Sequence, residues 1–359
     1  MKSESKLLLL LCALLLGCSS SDPEPMDSDD ASAMASRDAG KADAGKADGG
    51  KATPGNEPDG GSSAAAPKGG KVGEFSFKLT ERDEANDVPA VTSFFGRVSD
   101  GPAPAAQVWD KLDEADGCVL TEPRSPFCPE GCGADVCVED DTCQAHPTAV
   151  GVGKVTFTGV KSASGASEFV SQASPQLGYN YQLPSGLSLA YPAFEDGVPV
   201  KLSAEGEGAI QKFTLEADGF APLVLMGAGD SGLPLDRGKG LTLAWEAPAK
   251  AGDSRIQVKL DISHHGGAKG KIECDVDDDG SLVIPASLTD KLLDLGVAGF
   301  PTVSVTRSSI ASTETAVGRV DLKLYMYVET SIVIDGLISC ERAEQCPAGK
   351  MCGPDKACH

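Results

Sequence analysis

Three things are scarce in this sequence. Aromatic residues are only 5% of its 359, basic side chains are outnumbered 53 to 31, and no apolar run reaches the roughly 20 residues that a membrane-crossing helix needs. Few aromatics beside 42 glycines and 23 prolines argue against a helical bundle and for short strands joined by turns. The formal charge of −22 repels a phosphate backbone, which excludes nucleic acid as a partner. There is no Walker loop, dinucleotide fingerprint, HExxH helix or catalytic carboxylate pair distinct from ordinary acidic surface, so no cofactor is expected.

What is present begins with a leader. MKSESKLLLLLCALLLGC sets Lys2 and Lys6 before an apolar run from Leu7 to Leu16, the length of a signal-peptide core. The run closes on Leu15-Leu16-Gly17-Cys18, which resembles the lipobox of bacterial lipoproteins. That resemblance implies that residues 1–17 are removed, that Cys18 takes a diacylglycerol, and that its freed amine takes a further chain of the palmitate class. Several such chains, at roughly 0.8 kcal/mol per buried methylene, make a lasting membrane anchor. Ser19, rather than Asp, follows the cysteine, and by likeness to enteric lipoproteins this implies the outer membrane, with the face left open.

Residues 18–72 read as the lipidated cysteine and an Ala/Gly/Asp/Lys tether. After Cys18 this stretch holds no aromatic, Leu or Ile, and a phrase close to DAGKA recurs at Asp38, Asp43 and Asp48. It cannot bury enough apolar surface to offset chain entropy, so it reads as disordered, with a root-mean-square span of about 40 Å.

Beyond it the apolar residues step by two, in runs such as Glu74 to Leu79, Ile256 to Ile262 and Val320 to Leu324. Turn clusters separate these runs at intervals of about ten residues, the spacing of an antiparallel sandwich. One stretch differs: residues 287–295 put Leu288, Leu292 and Leu295 on one helical face, with Gly296 placed to close it. The expected fold is mainly β, an antiparallel, immunoglobulin-like β-sandwich with two small disulfide-rich modules and one short helix. The expected units are a β segment at 73–117, a cysteine-rich module at 118–146, the sandwich at 147–336 and a four-cysteine module at 337–359.

Of 12 cysteines, Cys12 falls in the leader and Cys18 in the lipobox, leaving an even number for an oxidising compartment. Cys340, Cys346, Cys352 and Cys358 are equally spaced, and Cys128, Cys132, Cys137 and Cys143 form a slightly shorter copy. Both are similar to the EGF-like and Dickkopf-like modules appended to exported proteins. Four cysteines allow three arrangements. First-to-third and second-to-fourth is the favoured one, giving Cys128–Cys137, Cys132–Cys143, Cys340–Cys352 and Cys346–Cys358. If each knot is self-contained, Cys118 and Cys274 remain to bond each other and to clamp the first block onto the sandwich. A zinc ion on four thiolates competes, but its spacing is nearer C-x2-C.

Four motifs invite chemistry. Gly229-Asp230-Ser231-Gly232 is a partial match to the nucleophile loop of chymotrypsin-like proteases, but Leu233 stands where that family has Gly. The only upstream histidine, His146, precedes a proline rather than a cysteine. Without a positioned base the hydroxyl is a poor nucleophile, and the stretch reads as a turn. Asp275-Val276-Asp277-Asp278-Asp279-Gly280 opens like a calcium loop, yet Ala286 occupies the bidentate position of an EF-hand. A looser cage from Asp275, Asp277, Asp279 and Ser281 is the weak metal candidate, set against a solvated hairpin turn. His264 and His265 on an extended backbone would point to opposite sides and chelate poorly, with Asp261 the only carboxylate near, so His264-His265-Gly266-Gly267 reads as a turn between two strands. Trp109 and Trp245 read as core residues. An exposed Trp245 would be the place to seek a sugar.

The expected function is a lipid-anchored, non-enzymatic protein of the cell envelope, adhesive or structural, held to the membrane by lipid and meeting an envelope protein or a glycan. An exported hydrolase with an unfamiliar site and a carbohydrate-binding surface lipoprotein are the alternatives.

Overall fold

The computed structural model describes residues 70–359 apart from 85, 228–231 and 249–253. The leader, Cys18, nearly all of the tether and Ser231 therefore lie outside the described residues.

The strands follow the period-two pattern. β1 (Lys71–Thr80) and β2 (Val91–Ser99) form a hairpin, and β2 alternates exposed and buried side chains without a break. β3 (Val108–Ala115) and β4 (Cys118–Arg124) form a second, which leads into the two-residue strands β5 (Val136–Cys137), β6 (Cys143–Gln144) and β7 (Ala149–Val150). Next come β8 (Lys154–Thr158), β9 (Glu168–Gln172), β10 (Pro199–Ala204) and β11 (Phe213–Asp218). β12 (Leu225–Met226), β13 (Leu233–Pro234) and β14 (Leu241–Trp245) follow, then β15 (Arg255–Asp261), β16 (Lys271–Asp277) and β17 (Ser281–Ile284). After the helix α1 (Ala286–Asp294), the long hairpin β18 (Thr302–Thr315) and β19 (Gly318–Val333) closes the body.

These strands make a ten-stranded sheet in the order β3-β4-β16-β15-β18-β19-β1-β2-β7, with β13 beside β19. A four-stranded sheet (β11-β10-β8-β9) and a three-stranded sheet (β12-β14-β17) complete the main body. Most ladders are antiparallel, as expected, but β1 and β13 both run parallel to β19. Parallel neighbours need a long connection, and β1 and β19 are separated by nearly the whole described chain.

The sandwich is visible in its aromatics. Phe75 and Phe77 of β1 and Phe94 of β2 face Phe157 of β8 and Phe169 of β9, with ring centroids 4.8 Å apart for Phe94–Phe157 and 5.3 Å for Phe77–Phe157. Such pairs contribute about 0.5–1.5 kcal/mol each beyond area burial. Gly96 makes the fit: a Cβ there would lie 2.4 Å from the Phe75 ring. The helix buries Leu288 and Leu292, and Leu295 serves as its C-cap before Gly296 at φ +93°.

All described residues belong to one compact unit. β1 begins at Lys71, inside the stretch assigned to the tether. β3 and β4 pair across the expected boundary at 117/118, and the N-terminal strands share their sheet with the later ones.

Candidate functional site

Five disulfides are closed: Cys118–Cys274, Cys128–Cys137, Cys132–Cys143, Cys340–Cys352 and Cys346–Cys358. Cys118 and Cys274 stand directly opposite each other on β4 and β16, with Cα atoms 4.0 Å apart, and both are buried. This bridge joins neighbouring strands of one sheet rather than clamping a separate block, because Cys118 is itself a sheet residue. The first module hangs from Arg124, whose Nε lies 3.0 Å from Asp110 Oδ2 and whose Nη2 donates to Glu139 O at 2.9 Å. The second docks through Asp355, whose carbonyl accepts from Gly299 N at 2.7 Å. The hydrogen bond with His359 holds the Asp355 carboxyl below its ordinary range, outweighing the opposing effect of desolvation. Among the described residues, the metal-ligating groups that converge are cysteines already bonded in these modules.

In the acidic hairpin between β16 and β17 the residues of the weak metal candidate have other partners. Asp275 and Asp277 lie on one side of β16 and both meet Arg255, at 2.5 and 2.7 Å. Partial burial opposes the Arg255 charge, but the Asp275 and Asp277 carboxylates outweigh it and raise its pKa. Asp279 turns back to accept from Ser281 N at 3.3 Å. The four candidate groups thus serve an ion pair and a turn, which is the hairpin reading.

The residue that sequence reasoning passed over is Asp278. Its carboxylate is buried, takes Arg307 Nε at 2.7 Å and Nη2 at 3.0 Å, and accepts from Trp245 Nε1 at 2.8 Å and Ser254 Oγ at 2.9 Å. The remaining Arg307 donors reach the carbonyls of Ala221, Pro222 and Glu246. The signal was in the register: Val303, Val305 and Arg307 step by two along the inward face of β18. Every polar contact here is internal, so this cluster organises the core.

Trp245 is 1% exposed, which overturns sugar stacking on that ring. Trp109, expected in the core, is half-buried instead, with Lys271 Nζ 4.2 Å over its ring. His264 and His265 also differ from expectation. His265 adopts φ +60°, and this turn brings the two rings to 3.9 Å rather than to opposite sides. Asp261 is engaged by the amide and hydroxyl of Ser263. His146 is exposed beyond β6.

No family model and no curated protein matches this sequence. Among solved structures, "Crystal structure of chicken CNTN1 FN1-FN3 domains" is similar over 70% of this chain and 71% of that one, at 10% identity and a TM-score of 0.17. A superposition so loose carries no argument about what the chain does. Among the described residues, no helix is long and apolar enough to cross a membrane.

Proposed function

We propose that this chain is an exported, lipid-anchored protein of the bacterial cell envelope, described by what it displays rather than by any reaction: a rigid β body held away from an outer membrane on a tether and acting by binding. The observation that carries this reading is the pairing of all ten cysteines outside the leader and lipobox into disulfides. Bridges persist where thiols are oxidised, and export through a lipoprotein leader delivers a chain to such a compartment.

The test is mass spectrometry of the mature N-terminus with membrane fractionation. Residue 18 should carry acyl chains, and Cys18→Ala should move the protein into the soluble fraction. An unmodified Cys18, or unchanged fractionation of the variant, overturns the anchor. The binding reading is tested separately with a fluorophosphonate probe: labelling of Ser231 in the folded chain would return the molecule to the hydrolases.

A further inference from the structure

The ten-stranded sheet buries one face against the aromatic core, and its other face carries exposed side chains along β2, β19 and β18 and partly buried ones along β1. Directly opposed residues share a face, so the ladder arranges these side chains in rows. One row is Phe95, Ser76, Lys323 and Ile310, and the next is Ser93, Lys78, Tyr325 and Ser308. In a third, Val91 stands opposite Thr80 and Tyr327 opposite Thr306. No carboxylate stands in these rows, although the chain carries a net charge of −22. Two ammonium groups do: Lys78 Nζ sits 4.5 Å over the Tyr327 ring and Lys323 Nζ 4.8 Å over the Tyr325 ring. Phe95 and Ile310 are each 46% exposed and Tyr327 45%, while Ser76 and Ser308 lie buried between them.

We infer that this face binds an acidic polysaccharide, a chain of uronate type. Charge complementarity selects an anion, since the rows are cationic within an acidic body. The ring contacts hold both ammonium groups in place, so less freedom is lost when they meet a carboxylate. Phe95, Tyr327 and Ile310 offer flat apolar area for the C–H faces of sugar rings. Sheet-face backbone is already paired in the ladder, so it offers a peptide none of the main-chain bonds that peptide strands take at sheet edges. A second copy docked face to face would bring a cationic patch against its own like. A membrane plane would also meet the exposed Glu329 at one end of these rows.

The experiment titrates the full chain, in detergent micelles, with polygalacturonate and with its methyl ester, which keeps the rings and loses the charge. Polygalacturonate should bind, weaken as salt rises, and exceed the ester by about tenfold or more. Lys78→Gln with Lys323→Gln, and separately Tyr327→Ala, should each weaken it by a similar factor, while Lys78→Arg should retain it. Circular dichroism melts matching the parent identify folded variants, and the acid-against-ester comparison on the parent decides the matter without them. No binding, equal binding of acid and ester, folded variants that bind unchanged, or capture of phosphatidylglycerol vesicles in place of the polymer would each overturn the inference.

Discussion

Asp278 and Arg307 form a two-pronged ion pair inside the protein, with side chains 3% and 1% exposed. The carboxylate receives both Nε and Nη2 of the guanidinium, and the donors left over reach main-chain carbonyls. The pair ties β18 to the β16–β17 turn and, through Trp245, to the three-stranded sheet. Removing one member strands the other as a buried charge. Asp278→Ala and Arg307→Met should therefore each cost about 3–5 kcal/mol. The double substitution should cost clearly less than the sum, because neither charge is then left alone. Urea unfolding of the four proteins gives the answer. Additive losses would mean that the two groups do not depend on each other.

Gly96 is the second point of tight constraint. A methyl group there would press on Phe75 at 2.4 and 2.8 Å, and Phe75 is fully buried with Tyr181 and Phe157 around it. Gly96→Ala should destabilise by about 1–3 kcal/mol, the ordinary range for overpacking. Trimming the obstacle with Phe75→Leu should make the added methyl less costly than it is in the parent. A Gly96→Ala protein with an unchanged denaturation midpoint would show that the sheet gives way there without cost.

The strands and the cysteine modules were legible because both signals are local. Burial of one sheet face forces alternation, and short, evenly spaced loops leave few ways to close a knot. Within each knot the spacing left three arrangements open, and Cys118–Cys274 followed by elimination rather than from spacing. What no local pattern carries is a neighbour's identity. Alternation in β1 says that it is a strand, but nothing in it names β19 as a parallel partner. The position of Cys118 in the main sheet was hidden for the same reason. The paired histidines do lie in a turn, but their rings meet because His265 takes positive φ where an extended backbone was assumed. Trp245 reads as a core residue from the sequence and is one, but nothing local shows that Asp278 accepts from its indole. The acidic turn was read by its spacing, and the one carboxylate that matters to the core fell between the positions a calcium loop uses.

Burial sets the order in which the bridges open to a reductant. Cys143 is exposed, whereas Cys118 and Cys274 are 1% and 2% exposed. A thiolate must reach a sulfur to exchange with it, so access governs the rate. Under mild reductant at neutral pH, Cys132–Cys143 should open before the C-terminal bridges, and Cys118–Cys274 should survive until the body unfolds. Differential alkylation followed by peptide mapping reads the sequence of events. Early loss of Cys118–Cys274 from the folded protein would contradict the placement of that bridge within the sheet.

Tyr181 links stability to alkaline pH. Its hydroxyl accepts from Val152 N at 2.7 Å and donates to Gly153 O at 3.0 Å, and the residue is fully buried. Burial raises its pKa above the ordinary 10.0; the Val152 hydrogen bond pulls the other way, and Glu207 adds to the rise. A group whose folded pKa is raised contributes stability that is complete below the unfolded value and is lost as pH climbs through the folded one. The protein should therefore lose stability above about pH 10, where an unfolded tyrosine ionises and the folded one resists. Tyr181→Phe should cost about 1–3 kcal/mol at neutral pH by leaving Val152 N and Gly153 O without their partner. The same variant should flatten the alkaline slope relative to the parent, and this separates the ionisation from the lost hydrogen bonds. Urea midpoints for both proteins from neutral pH to pH 11 make the comparison. Parallel curves across that range would mean that the buried phenol does not drive the alkaline loss.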